Sequence, residues 1–121
     1  MHESRFEPLL YLGTAGVLVL GLLLMSEAEA APTPARTQEL VHLVRQDCGS
    51  CHGMRLSGGL GPALTPDRLA TRPREAMLST ILHGRPGTPM PPWAPFLSED
   101  EAGWIVDHLF AGFPGEGADA R

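Results

Sequence analysis

The sequence predicts a small all-α domain with Gly/Pro-rich loops, organised around something other than its own side chains. Three observations lead there. Apolar residues recur at helical spacing in three stretches, and no stretch sustains the period-two alternation of a strand. Cap and breaker residues bracket those stretches. Gly and Pro are abundant, 14 and 12 in 121 residues, so the connecting segments resist both helix and sheet. A chain this short buries a modest fraction of its surface and often needs a metal, a disulfide or a partner to hold together.

Each element has its own signal. Leu40, Val41, Leu43 and Val44 mark one face of a first helix, starting near Thr33-Pro34 or Thr37 and running toward Cys48. Thr65-Pro66 opens a short helix through Leu69, with Thr as cap and Pro at the first helical position. Thr71 is placed to cap a helix from Arg72 or Pro73 to His83, with Met77, Leu78, Ile81 and Leu82 as its apolar residues and Gly84 as its stop. Ser98-Glu99-Asp100-Glu101 is a capping box that sets three acids at the positive end of the last helix dipole. Ala102, Ile105, Val106 and Leu109 form the buried face of that helix, and Phe110-Ala111-Gly112 ends it. The domain predicted is residues 31–113, with Pro114 to Arg121 as a flexible tail.

Residues 1–30 read as a separate segment. No charge interrupts Leu9 to Met25, and Ala28-Glu29-Ala30 supplies small residues at the positions a signal peptidase reads. That apolar stretch is 17 residues, longer than the ~7–15 of a usual signal core and at the lower limit of ~17–25 for a span. Arg5 is offset by Glu3 and Glu7. The segment reads as a cleaved signal peptide, with an uncleaved anchor as the alternative; only the anchor brings membrane contact. Both place the remainder outside the cytoplasm, in the periplasm of a bacterium. Nine basic residues, all Arg, stand against 14 acidic ones for a net charge of −5. That balance excludes a basic nucleic-acid binder of the usual kind, and the length excludes a multidomain enzyme.

The chain has 2 cysteines, Cys48 and Cys51, with His52 directly after them. A local disulfide or a chance pair is the simplest reading. A redox dithiol wants a helix to follow, and Met54-Arg55-Leu56-Ser57-Gly58-Gly59-Leu60-Gly61-Pro62 cannot continue one. A zinc site needs two more ligands, and His83 and His108 lack the paired spacing of zinc motifs. Covalent haem attachment explains all three residues. Two thiols must reach the two vinyl groups on one edge of a porphyrin, and one imidazole must then lie beneath the iron. Export agrees, because bacteria carry out this attachment outside the cytoplasm.

A haem held by His52 has a second axial position. Met54 is too close to His52 to cross the porphyrin, and Met77 sits in the apolar pattern of a helix, where packing is its role. Met90 stands in Gly84-Arg85-Pro86-Gly87-Thr88-Pro89-Met90-Pro91-Pro92-Trp93, a stretch unable to form helix or central strand. Prolines on both sides pre-set the backbone and lower the entropy cost of presenting one thioether. His52 and Met90 are therefore the metal ligands expected, and His83 is a ligand only in a rearranged state. His42 and His108 read as surface residues, and Trp104 as core.

Cys48-x-x-Cys51-His52, Gly61-Pro62-Ala63-Leu64, Met90-Pro91 and the Leu97-Ser98-x-x-Glu101 helix start resemble class I cytochromes c across residues 38–110. The strings Gly58 to Pro66 and Gly84 to Trp93 are more narrowly similar to the cytochrome c55X (NirC) family of denitrification nitrite reductase clusters. The resemblance implies a class I cytochrome c fold with helices packed around one covalently bound haem c. It implies that the Pro62 carbonyl orients His52, that Leu64 packs on the haem, and that Arg85 or Trp93 meets a propionate. Packing in the core is the competing role for Trp93, and a solvated loop position for Arg85.

The function expected follows from coordination. With His and Met both bound, the iron has no open position and can do little but pass an electron, at a potential raised relative to bis-His ligation. The chain is read as an electron carrier rather than an enzyme. The resemblance implies a redox partner, either cytochrome cd1 nitrite reductase or a haem d1 maturation protein. With no Lys to ring a docking surface, electrostatic steering would fall to Arg or be weak. The alternatives are a small haem enzyme or gas sensor with a labile Met90, and a passive module that hands on a tetrapyrrole.

Overall fold

The computed structural model describes residues 31–114. The expected signal or anchor segment, and residues 115–121 of the expected tail, lie outside the described residues. The described residues form five helices and one π-helical turn, and no strand occurs among them.

Helix α1 spans Pro34–Leu43, with the Thr33 side chain accepting from the Arg36 amide and Pro34 at the first helical position. Val44–Cys48 then forms a π-helical turn, and α2, Gly49–His52, follows directly. Hydrophobic spacing predicts one uninterrupted helix here. The spacing misses the wide turn because Leu40 and Val44, on either side of the junction, are both fully buried. Such turns cluster at functional sites, and this one delivers Cys48.

Helix α3, Pro66–Leu69, begins at Thr65, whose hydroxyl bonds the Asp67 carboxyl instead of a backbone amide. Helix α4 spans Arg74–His83, and its cap position is Pro73 rather than Thr71. The reason is steric: Pro73 drives Arg72 out of the helical region, so the first turn begins after it. Helix α5 is Glu99–Ala111. Its capping box is complete, with Glu101 N–H donating to Ser98 Oγ at 3.1 Å and Ser98 N–H to Glu101 Oε2 at 2.9 Å.

Helix α5 packs against α3 and α4. Its buried Ile105 and Leu109 join Leu40, Val44, Leu56, Leu69 and Leu97 in one core. Arginines tie the elements from outside. Arg36 of α1 donates to Glu101 of α5 at 2.6 Å, and Arg74 of α4 forms a fork on Asp107 of α5 at 2.6 and 2.9 Å. Arg45 donates to the carbonyls of Phe113 and Pro114, each at 2.7 Å, so the first residue of the expected tail is held. Exposed ion pairs are worth about 0–1 kcal/mol each, whereas burying one Leu is worth roughly 1.5–3 kcal/mol; the core dominates.

His108 departs from expectation. It is half-buried, its ring stacked on Trp104 at 3.8 Å between centroids, and Nδ1 donates to the Trp104 carbonyl at 2.8 Å. Residues four apart on a helix are neighbours, and a half-buried indole covers whatever lies above it. Trp104 itself leans on the core, as expected.

Candidate functional site

Cys48 closes the π-helical turn, and Cys51 and His52 complete α2. Offsets of three and four residues set all three side chains on one side of the chain's turn. Both cysteines are free thiols, Cys51 exposed and Cys48 half-buried. Burial, and after it the neighbouring Asp47 charge, pushes the Cys48 thiol up to about 11. A redox dithiol needs the opposite shift. Among the described residues no group of three or more His, Cys, Asp or Glu is placed to hold a metal ion.

The helix stops at Gly53, φ 86°, and a glycine-rich loop folds back over its end. The amide of Gly58 donates to the His52 carbonyl and that of Gly61 to the Cys51 carbonyl, both at 2.8 Å. These bonds satisfy carbonyls that a helix end leaves orphaned. The fold-back brings the Pro62 carbonyl to 2.7 Å from His52 Nδ1. A carbonyl can only accept, so Nδ1 carries a proton, and in the neutral ring Nε2 is the nitrogen left with a lone pair. The close approach requires glycine at 61, where a Cβ would fall 2.8 Å from both Nδ1 and Cε1 of the imidazole.

Leu56 is the residue sequence reasoning missed. It sits at φ 59°, outside the usual range for a leucine, yet is 3% exposed. The left-handed conformation costs roughly 1–2 kcal/mol, less than the roughly 1.5–3 kcal/mol from burying the side chain. Its carbonyl accepts from Leu64 N–H at 2.8 Å, so the buried Leu56 anchors both ends of the loop that carries Pro62. No sequence pattern marks a leucine for positive φ.

The Met90 loop is braced by its own bonds. Arg85 N–H donates to the Met90 carbonyl at 3.1 Å, closing the loop on itself. Beyond it, Trp93 and Ala94 amides donate to the carbonyls of Ile81 and Leu82 on α4, at 2.9 and 3.1 Å. Met90 is half-buried and Arg85 exposed. Trp93 packs against the core and meets Phe96 edge-on at 6.0 Å, the packing role weighed for it from sequence. Leu64, Met77, Ile81 and Trp104 also lie half-buried against the core. His42 and His83 are exposed.

The donor set fits an iron porphyrin. Two thiols flank a single turn, an imidazole with Nδ1 already bonded offers Nε2, a thioether stands on a closed loop, and apolar side chains beside them are only half-buried against the core. A helical chain with this site is a c-type cytochrome.

Comparison with known proteins narrows the class. The family described as cytochrome c oxidase, cbb3-type, subunit III matches residues 35–109. A cytochrome c55X of Pseudomonas aeruginosa is 61% identical over 85 residues, covering 70% of this chain and 71% of the relative. A solved structure of the c-type cytochrome NirC aligns with a TM-score of 0.66 at 62% identity, covering 67% of this chain and 95% of that one. A dihydro-haem d1 dehydrogenase of Pseudomonas aeruginosa is 38% identical over 99 residues, which is 82% of this chain and 19% of that protein. The chain belongs to this cytochrome c family, and within it to the cytochrome c55X proteins. Among the described residues no helix is long and apolar enough to cross a membrane.

Proposed function

We propose that the chain is an exported electron carrier with one haem c, attached through thioethers at Cys48 and Cys51 and ligated by His52 and Met90. The observation that carries this reading is the His52–Pro62 hydrogen bond, which leaves Nε2 free beside two free thiols. When bound, the haem iron supplies a one-electron couple. The protein's part is to hold and orient. Pro62 fixes the imidazole and raises its basicity, the Met90 loop offers the second ligand, and Leu64 and Trp93 exclude water. Arg85 is the nearer candidate for a propionate, being exposed on the ligand loop with a guanidinium able to fork onto a carboxylate. With His52 and Met90 both holding it, the haem would supply electron transfer and leave no place on the iron for substrate, which makes the chain a carrier rather than an enzyme.

The proposed setting is the periplasm of a denitrifying bacterium, reached through residues 1–30 acting as a cleaved signal. Of the two partners, cytochrome cd1 nitrite reductase and the haem d1 maturation machinery, the second has the firmer support. A relative named for dehydrogenating dihydro-haem d1 contains a stretch similar to most of this chain. A two-electron dehydrogenation must deliver its electrons to an acceptor, and a single-haem carrier takes them one at a time. The test is stopped-flow reduction of the purified ferric holoprotein by a dihydro-haem d1 dehydrogenase with its substrate, beside electron exchange with cytochrome cd1. Fast reduction in the first pairing is expected. Reduction no faster than background in both pairings would overturn the carrier reading.

A further inference from the structure

We propose that Thr88 is the positioning residue of the ligand loop, holding Met90 through its hydroxyl and setting how readily the thioether leaves the iron. The inference rests on Met90 being an axial ligand.

The prolines create the need for it. Between Arg85 and Pro92, positions 86, 89, 91 and 92 are proline and donate nothing from the backbone. The amides of Arg85, Gly87, Thr88 and Met90 are what remains to fasten the loop. Arg85 N–H goes to the Met90 carbonyl, and Thr88 N–H to the Arg85 carbonyl, both at 3.1 Å. Met90 N–H has the Thr88 Oγ1 as acceptor, at 3.3 Å. The same hydroxyl donates to the Arg85 carbonyl at 2.7 Å. A threonine hydroxyl has one donor and two acceptor sites, so it performs both tasks at once. Both backbone groups of Met90 are thereby tied to the loop's first turn, one directly and one through Thr88.

Gly84 lets the loop close on itself. A Cβ there would meet the Met90 carbonyl at 2.7 Å and Pro91–Pro92 backbone atoms at 2.9 Å, so the base of the loop already lies against its far end. Without the Thr88 hydroxyl, the Met90 amide loses its acceptor and the peptide linking Pro89 to Met90 is freed to turn. The thioether is then held by the iron and by the Arg85–Met90 bond. Met90 departs more often, and the sixth position opens to small molecules. Thr88 thus separates a closed electron carrier from a ligand-binding haem.

The test uses the full haem-loaded chain and imidazole as the incoming ligand. Stopped-flow binding to the ferric protein is compared among wild type, Thr88→Val, Thr88→Ala, Thr88→Ser and Met90→Ala, with amide hydrogen exchange at Met90 followed in parallel. Thr88→Val is expected to bind imidazole about five- to thirtyfold faster, the factor carried by about 1–2 kcal/mol, and to exchange the Met90 amide faster. Thr88→Ser should match wild type in both. Equal rates in wild type and Thr88→Val would overturn the proposal, and so would a Ser variant as fast as Val. Thr88→Ala decides the matter by the same two readouts if Val does not fold. A wild type that binds imidazole as fast as Met90→Ala, and lacks the long-wavelength Met–iron band, refutes Met90 ligation itself. The ligand-release proposal then falls with it, while the exchange rates still show whether the hydroxyl braces the loop.

Discussion

The Pro62 carbonyl stands 2.7 Å from His52 Nδ1, and Gly61 is what allows it to come so close. Replacing Gly61 by Ala sets a methyl 2.8 Å from the imidazole, so ring or loop must move. Overpacking of this kind costs about 1–3 kcal/mol. In the proposed holoprotein, with His52 on the iron, that hydrogen bond would make the imidazole a stronger donor to ferric iron, and it lengthens as well. Gly61→Ala is expected to lower the denaturation midpoint and raise the reduction potential of the haem-loaded protein. An unchanged potential in a redox titration would show that the bond does not tune the ligand.

Leu56 separates backbone strain from burial. Leu56→Ala keeps the positive φ and loses the buried side chain, for an expected cost of about 2–5 kcal/mol. Leu56→Gly loses the same side chain but relieves roughly 1–2 kcal/mol of left-handed strain. Glycine should therefore be the milder of the two in urea unfolding, an inversion of the usual order. If Ala proves milder, the strain argued for Leu56 is absent.

Ser98 caps α5 through its side chain and receives Glu101 in return. Ser98→Ala is expected to cost about 1 kcal/mol. The loss should show as earlier fraying at Glu101 and Ala102 by hydrogen exchange, with α4 unaffected. Uniform loss across both helices would mean that the cap acts on the whole fold.

Acid should weaken the clasps on α5. Hydrogen bonds from Arg36 hold the Glu101 carboxyl below its ordinary 4.5, and those from Arg74 hold Asp107 below 3.8. A carboxyl lowered in the folded state lends stability that is complete above its unfolded value and lost as pH falls through its folded one. Stability is therefore expected to be flat near neutrality and to decline below about pH 4.5, modestly, because exposed pairs are screened. Asp107→Asn should shallow that decline, and added salt should do the same. Thermal melts across the acid range at two ionic strengths provide the check; a decline that starts near pH 6 would point to histidine instead.

Much of the fold was legible because its signals are local. Thr33-Pro34, Pro66 and Ser98 to Glu101 act on the backbone within one turn, and those helices begin where the residues say. The start of α4 is harder to read, because Thr71 is a sound cap by type and the constraint from Pro73 moves the helix start past it. The π-helical turn before Cys48 left no trace, since the buried residues on either side keep an ordinary helical pattern. His108 reads as a surface residue by helical period, whereas Trp104 covers it by size.

The sequence alone determined the chemistry: the two thiols, the imidazole and the thioether stand in Cys48-x-x-Cys51-His52 and in a proline-bound Met90, because covalent spacing and proline restrict what those residues can do. Tertiary structure decided how they are held. The His52 tautomer, the buried left-handed Leu56 and the Thr88 clasp on Met90 depend on backbone groups brought together from separate stretches, or across tight turns, of the chain. Hydrogen bonds act over about 3 Å, and no residue pattern states which carbonyl will stand that close to which nitrogen.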